Sequence, residues 1–171
     1  MKLTRLLTLL TAMSLLSVFA SAEPLKVGDP APVVSALTDA GTTLNLGDVY
    51  KANVYTVVWF YPKALTGGCT KQGCSLRDAS ADLKKHGVAV VGVSVDSVEK
   101  QAEFKKVNNF PYALLADTEK KVVKAFGQSV VLMASREAYL ISREGKVVYY
   151  DKGQTDKQAE KVLEFLNARK N

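Results

Sequence analysis

The sequence has 171 residues, of which 47% are hydrophobic, and this length suits one domain with a substantial apolar core. Its formal net charge is +6, but basic and acidic residues are intermingled, without a basic run or interleaved aromatic residues. This pattern argues against a nucleic-acid-binding surface and indicates an ordinary solvated one.

The first 22 residues have the pattern of a secretory signal peptide. Lys2 and Arg5 precede an apolar run that ends at the small residues Ala20-Ser21-Ala22, a cleavage site before Glu23. A membrane anchor is the alternative, but the run is short and interrupted by hydroxyl residues. We therefore expect residues 1–22 to be removed and residues 23–171 to form one domain. The mature protein is expected to be exported, to the periplasm or another extracytoplasmic space, and to have no membrane attachment.

The first half of the mature chain predicts two buried strands joined by a helix. Residues 23–51 carry Gly and Pro between short apolar pieces, which indicates an irregular stretch with one hairpin. Asn53–Tyr61 is dense in β-branched and aromatic residues, as is typical of a central strand buried on both faces. A helix is expected over Thr70–Lys85 and a second buried strand over Val88–Val95, which together form a βαβ unit with a parallel strand pair.

The second half predicts two helices, a hairpin and a last helix. The helices are expected over Ser97–Asn108 and Thr118–Phe126, and the hairpin strands over Arg136–Ser142 and Lys146–Tyr150. In the last helix, Thr155 and Gln158 can form a capping box, and apolar residues recur at helical spacing. This order of elements describes an α/β fold of the thioredoxin-like type, with a central mixed sheet flanked by helices and an N-terminal extension.

Cys69 and Cys74 are the only cysteines and lie five residues apart. A metal site is disfavoured because zinc needs four ligands and the single histidine, His86, has no cysteine near it in sequence. We therefore expect no metal and no cofactor. A permanent structural disulfide is the other alternative. On one intact helix the two Cα atoms would lie about 8 to 9 Å apart, beyond the ~7 Å that a disulfide tolerates. A bond between them requires the helix to unwind, which favours a redox switch over a structural crosslink.

The surroundings of Cys69 favour a reactive thiol. The residue follows Gly67-Gly68 at the start of a helix, where free backbone N–H groups and the helix dipole favour a thiolate. Thr66, three residues earlier, can bring a hydroxyl to the same sulfur. The plain alternatives are a helix cap for Thr66 and an ordinary turn for the glycines.

The stretch Pro62-x-x-x-Thr66-x-x-Cys69 resembles the active-site signature of peroxiredoxins. The longer segment FYPKALTGGCTKQGCSLRD is similar to that of the bacterioferritin comigratory protein or peroxiredoxin Q subfamily, and the similarity extends over most of the mature chain. Arg136 falls where this family has its active-site arginine. The resemblance implies a thioredoxin-like fold and a thiol-dependent peroxidase that reduces hydrogen peroxide and organic hydroperoxides.

The resemblance also implies a role for each site residue. Cys69 would be the peroxidatic cysteine, oxidised by the peroxide to a sulfenic acid, and Cys74 the resolving cysteine that forms an intramolecular disulfide with it. Arg136 and Thr66 would orient the peroxide and stabilise the developing charge, and Pro62 would shield the sulfenic acid from water.

The expected partners are a hydroperoxide and a reductant, either a thioredoxin-like protein or a small thiol, and the protein is expected to be a monomer. Two other functions stay open. A thiol-disulfide oxidoreductase would normally carry Cys-x-x-Cys at this helix start, whereas four residues separate the cysteines here. A peroxide sensor would use the same residues as a peroxidase.

The sequence departs from the subfamily at two positions. Gly67-Gly68 stands where members usually carry Pro-Gly, which should make the loop more flexible. Glu137 follows the arginine where members often carry Thr. Because neighbouring residues of a strand point to opposite faces, we expect Glu137 to have little effect on Arg136.

Overall fold

The computed structural model describes residues 23–128 and 132–169, and the predicted signal peptide, residues 1–22, lies outside them. None of the helices in this part of the chain is both long and apolar enough to cross a bilayer. The strands are β1 (Ser35–Thr38), β2 (Thr43–Asn45), β3 (Tyr55–Phe60), β4 (Val88–Ser94), β5 (Ala113–Ala116), β6 (Glu137–Ser142) and β7 (Val147–Lys152). The helices are α1 (Leu46–Ala52), α2 (Gly67–Asp78), α3 (Ser80–Lys85), α4 (Val98–Asn108), α5 (Lys121–Ala125) and α6 (Gln158–Ala168).

The strands form one mixed sheet in the order β2-β1-β5-β4-β3-β6-β7. β3 pairs in parallel with β4, and β4 with β5, whereas the other neighbours are antiparallel. The predicted parallel pair, the hairpin of β6 and β7 and the N-terminal hairpin of β1 and β2 are therefore confirmed. β3 is an inner strand, so the residues that follow it lie at the C-terminal end of β3, between the ends of its two neighbouring strands.

Each face of the sheet carries its own apolar core. Alternate residues of β3 face opposite sides, because side chains of a strand alternate in direction. Val57 and Trp59 pack with apolar residues of α2, α3, α4 and α6. Val58 and Phe60 pack on the other side with residues of α1 and α5. The fold is thus the predicted thioredoxin-like α/β sandwich, with its central strand buried on both faces.

The structure corrects several predicted boundaries. The helix expected over Thr70–Lys85 begins earlier, at Gly67, and is divided at Ala79, whose backbone (φ −87°, ψ 5°) leaves the helical region. The helix expected over Thr118–Phe126 begins only at Lys121, because Lys120 is in the left-handed region at φ 59°. Two further elements, α1 and β5, were not predicted.

The predicted capping box at the last helix is wrong. α6 begins at Gln158, after Lys157, and the Thr155 hydroxyl donates to Asp156 rather than capping the helix. The side chain of Gln158 points into the protein and is fully buried. The apolar face is as expected, since Ala159, Val162 and Leu166 are all buried against the sheet.

Candidate active site

Cys69 is the third residue of α2 and is 1% exposed. Thr66, the residue before the helix, has an extended backbone (φ −100°, ψ 151°), so α2 begins directly after the loop that follows β3. The first backbone N–H groups of a helix have no partner within the helix, and together with the helix dipole they favour a negative charge. The sulfur is therefore buried at the N-terminal end of α2, close to backbone N–H groups that have no partner within the helix.

Arg136 brings a permanent positive charge to this sulfur. It lies immediately before β6, the antiparallel neighbour of β3, and its Nη2 donates to Cys69 Sγ at 3.5 Å. A Cβ atom placed on Gly68 would lie only 3.1 Å from the same Nη2. The absence of a side chain at Gly68 therefore lets the guanidinium lie against the first turn of the helix.

Gln72 is a site residue that the sequence analysis missed. Its Oε1 accepts a hydrogen bond from Arg136 Nη1 at 2.7 Å, and its side chain is fully buried. Its distance from Cys69 was the available signal, because residues three apart share one face of a helix. The spacing could not show that Arg136, which is distant in sequence, contacts the side chains of both Cys69 and Gln72.

Thr66 and Pro62 lie close to the site in sequence but make other contacts. The Thr66 hydroxyl is exposed and donates to the Lys63 carbonyl at 2.9 Å. No hydrogen bond joins it to Cys69 among the described residues, so the predicted hydroxyl–sulfur contact is absent in this state. Thr66 is the N-cap residue of α2, yet its side chain makes no capping hydrogen bond. Pro62 follows β3 and is half-buried.

Cys74 lies on the same helix as Cys69, and both are free thiols. Cys74 is partly buried, with its Sγ 3.8 Å from Asn108 Oδ1 at the end of α4. In a regular helix, residues five apart have Cα atoms about 8 to 9 Å apart, and a disulfide requires them within about 7 Å. The structure thus confirms the premise of the switch, since the two thiols are held apart while α2 is intact.

Glu137 points away from Arg136, as expected for adjacent residues of a strand. It is buried on the other face of the sheet, where its carboxylate accepts hydrogen bonds from Tyr139 Oη at 2.7 Å and Gln128 Nε2 at 3.2 Å. Lys152 Nζ lies 3.8 Å from its second oxygen. The carboxylate is therefore satisfied without Arg136, whose guanidinium stays available to Cys69.

Comparisons with known proteins identify the family of the chain. The AhpC/TSA family model matches residues 27–150. Peroxiredoxin Bcp of Escherichia coli K12 is 38% identical over 153 residues, which cover 84% of this chain and 97% of that protein. Peroxiredoxin Bcp of Bacillus subtilis 168 is 35% identical over 132 residues, which cover 72% of this chain and 83% of that protein.

Solved structures give the same result. Peroxidoxin BcpB from Mycobacterium tuberculosis superposes with a TM-score of 0.79 at 32% identity, covering 84% of this chain and 97% of that one. The bacterioferritin comigratory protein of Xanthomonas campestris, described as having alkyl peroxide reduction activity, superposes with a TM-score of 0.73 at 26% identity, covering 84% of this chain and 100% of that one. The chain therefore belongs to the AhpC/TSA family, among the peroxiredoxins of the bacterioferritin comigratory protein or peroxiredoxin Q group, and is a thiol-dependent peroxidase.

Proposed function

We propose that Cys69 is the peroxidatic cysteine and Arg136 the residue that activates it. The observation that carries this assignment is the contact of 3.5 Å between Arg136 Nη2 and the buried Cys69 sulfur at the start of α2. A fixed positive charge beside a thiolate stabilises it. In this proposal the guanidinium N–H groups of Arg136 also donate to the peroxide oxygens as these acquire negative charge, which lowers the barrier to O–O cleavage.

The proposed reaction has three steps: oxidation of Cys69, formation of the disulfide and its reduction. The Cys69 thiolate attacks the terminal oxygen of the hydroperoxide, the O–O bond breaks, and water or an alcohol leaves after protonation, while the sulfur becomes a sulfenic acid. The Cys74 thiol then attacks this sulfur and water leaves, forming the intramolecular disulfide. A dithiol reductant supplies two electrons and two protons to restore both thiols.

Thr66 and Pro62 complete the proposed site. Thr66 lies one turn before Cys69, and its hydroxyl rests on the exposed Lys63 carbonyl, from which it can turn to a peroxide oxygen entering above the helix. Pro62 adds no backbone donor to the loop and presents an apolar ring, half-buried, at the end of β3. Both residues would position the substrate and exclude water.

The substrates we propose are hydrogen peroxide and organic hydroperoxides. The reported alkyl peroxide reduction by the structurally similar Xanthomonas campestris protein supports the second class. The reductant we propose is a thioredoxin-like protein or a small thiol. Competition between hydrogen peroxide and cumene hydroperoxide for the reduced protein measures the preference, and turnover with a dithiol protein against glutathione identifies the reductant.

Stopped-flow oxidation of the reduced mature protein by hydrogen peroxide tests the assignment. We expect rapid consumption that Cys69→Ser abolishes. Cys74→Ser should retain one fast turnover and then accumulate the sulfenic acid or intermolecular disulfides. Normal cycling of Cys74→Ser with a dithiol protein would contradict the role of Cys74. Insulin reduction without peroxide consumption would instead indicate an oxidoreductase, and oxidation without turnover a sensor.

We also propose that the protein is exported and acts as a monomer outside the cytoplasm. The basic start, apolar run and Ala20-Ser21-Ala22 support export. In the described part of the chain, the exposed large hydrophobic residues are dispersed along the sequence, apart from the neighbours Leu132 and Met133, which supports a monomer. Cell fractionation with mass measurement of the mature protein, which should begin at Glu23, and light scattering after size-exclusion chromatography test the two parts.

A further inference from the structure

A chain of hydrogen bonds leads from the site to a carboxyl group on β7. Arg136 Nη1 donates to Gln72 Oε1 at 2.7 Å, Gln72 Nε2 to Gln158 Oε1 at 3.0 Å, and Gln158 Nε2 to Asp151 Oδ2 at 2.8 Å. Both glutamines are 0% exposed. We call Gln72 and Gln158 the amide relay. It joins α2 to α6 and ends on a residue that the peroxidase reaction itself does not use.

The two ends of the amide relay determine its direction. An arginine can only donate, so Gln72 must present its oxygen to Arg136. An ionised carboxylate can only accept, so Gln158 must present its nitrogen to Asp151. Only one orientation of both amides satisfies these conditions together. Reversing either amide would place two donors or two acceptors against each other in a buried site, where an unmade hydrogen bond costs about 1 to 3 kcal/mol.

Asp151 is well placed to be a fixed reference for the arginine. It lies on β7, paired with Ala138 of β6, two residues from Arg136. The Gly153 amide donates to the Arg136 carbonyl at 2.9 Å, so the backbones carrying the two charged side chains are bonded together. The path through α2 and α6 therefore returns to the same strand pair, and the closed loop fixes the guanidinium relative to the helix that carries Cys69.

The Asp151 carboxyl group is partly satisfied by hydrogen bonds. Its Oδ2 accepts from both Gln158 and Tyr149 Oη, the latter at 3.0 Å. Its Oδ1 is buried and makes no hydrogen bond to the described residues. Burial raises the pKa of Asp151, while these two hydrogen bonds and the charge of Lys161 act in the opposite direction. The hydrogen bond from Gln158 thus offsets part of the cost of holding a carboxylate here.

We propose that Asp151 is a positioning residue of the peroxidase, which acts through the amide relay to hold Arg136 on the Cys69 sulfur. This inference rests on the roles proposed for Cys69 and Arg136. Without the carboxylate acceptor, Gln158 Nε2 has no partner in a buried site, so the amide relay loses its anchor on β7 and holds Arg136 Nη1 less firmly. A displacement of about 1 Å in such a site can slow the reaction about a hundredfold.

The test compares three variants of the mature protein. Asp151→Leu removes the acceptor at similar size, whereas Asp151→Asn keeps an oxygen that can accept from Gln158. Ser75→Ala is the matched control, because Ser75 Oγ accepts from the Ala159 amide at 2.9 Å and so joins the same two helices outside the amide relay. The readouts are the rate of Cys69 oxidation by hydrogen peroxide, the rate of its alkylation by iodoacetamide at neutral pH, and Tm.

We expect Asp151→Leu to slow oxidation about tenfold to a hundredfold and to slow alkylation in parallel, because Arg136 is no longer held against the Cys69 sulfur. Asp151→Asn should stay within about threefold of the parent rate, since its oxygen preserves the direction of the relay. Ser75→Ala should lower Tm and leave both rates unchanged. A folded Asp151→Leu protein with parent rates, or equal slowing by Ser75→Ala, would overturn the proposal.

Gln158→Met provides an independent test if Asp151→Leu does not fold. It interrupts the amide relay and leaves the carboxyl in place, so it should slow both reactions as Asp151→Leu does, and parent rates would overturn the proposal. Cys69→Ser and Arg136→Met are measured in the same series. If those two keep the parent reactivity, the proposed function itself fails; if they lose it while Gln158→Met does not, only the role of Asp151 is wrong.

Discussion

The two halves of α2 are held by different kinds of contact. Residues 67–72 are held by polar groups: Arg136 bonds to Cys69 and Gln72, and Gln72 bonds to Gln158. At the start of this half, Gly67 faces open space. This half is therefore secured by hydrogen bonds, whose net contribution is modest because water can replace either partner once the turn opens.

The following half is held by aromatic packing. A Cβ atom on Gly73 would lie 2.5 Å from Phe110 and 3.1 Å from Trp59. The Tyr112 hydroxyl donates to the Gly73 carbonyl at 2.7 Å, and Arg77 donates to the Asn108 carbonyl at 2.8 Å. Because packed apolar contacts have no equivalent in water, this half is the more costly to open.

The contrast indicates which part of α2 moves when the disulfide forms. Cys69 and Cys74 stand on opposite sides of the boundary between the halves, and one must travel to the other. Local opening follows the least stable contacts. We therefore expect residues 67–72 to unwind and carry Cys69 towards Cys74, while the second half stays packed.

Arg136→Met should give the largest effect, because it removes the charge that defines the polar half. We expect the rate of Cys69 oxidation by hydrogen peroxide to fall about a hundredfold or more, as when one donor to a developing negative charge is deleted. Stopped-flow fluorescence measures this rate. Arg143→Met is the control, since Arg143 bonds to the Asn53 carbonyl in the hairpin turn. Equal oxidation rates for the two variants would show that the polar contacts of Arg136 do not contribute to catalysis.

Gly73→Ala tests the packed half. The added methyl group collides with Phe110 and Trp59, and we expect a loss of about 1 to 3 kcal/mol in the free energy of unfolding, as for other overpacked cores. Urea denaturation of the reduced protein measures it. An unchanged urea midpoint would show that the aromatic side chains around Gly73 can shift at little cost. The proposed difference in stability between the two halves of α2 would then be wrong.

Gly67→Ala is the matched substitution in the polar half, where nothing lies within 4 Å of the added atom. Alanine favours the helix over glycine by about 0.5 to 1 kcal/mol. Because the unwound state gains no such benefit, formation of the Cys69–Cys74 disulfide should slow about two- to fivefold. Rapid quenching with mass spectrometry, after a single equivalent of peroxide, follows this step. Unaltered or faster disulfide formation would place the moving segment elsewhere.

The smallest expected effect is a pH dependence at the anchor of the amide relay. Burial raises the pKa of Asp151 in the folded protein, so the folded state favours its protonated form. The stability of the parent relative to Asp151→Asn should be greatest below the ordinary aspartate pKa and should decrease as pH rises through the raised pKa. Urea denaturation of both proteins over acidic pH measures the difference, in which the other carboxyl groups cancel. A difference that grows with pH would contradict the burial.

Sequence patterns predicted the strands better than the contacts between elements. β3 is dense in β-branched and aromatic residues and β4 in valine, and both were recognised, whereas β5 (Ala113–Ala116) contains no β-branched residue and is a strand only because β1 and β4 flank it. α1 was missed although Asn45 caps it by accepting from the Gly47 amide at 2.8 Å. Local patterns do not reveal neighbours that arrive from elsewhere in the chain.

The site shows the same division. The spacing of the cysteines and the helix start indicated a reactive pair, and the resemblance to peroxiredoxins directed attention to Arg136. Gln158 was interpreted as part of a capping box, but its amide is buried between Gln72 and Asp151. Its bond to Gln72 spans 86 positions of sequence, so no pattern local to either residue contains it.

The docking of α6 on α2 also bears on biosynthesis. A nascent chain that has left the ribosome only as far as residue 150 already contains both cysteines and Arg136, but it lacks the helix against which Gln72 rests. The complete environment of Cys69 therefore arises only after residues 158–168 have emerged and packed, because Gln158 supplies the acceptor for Gln72 beside Arg136.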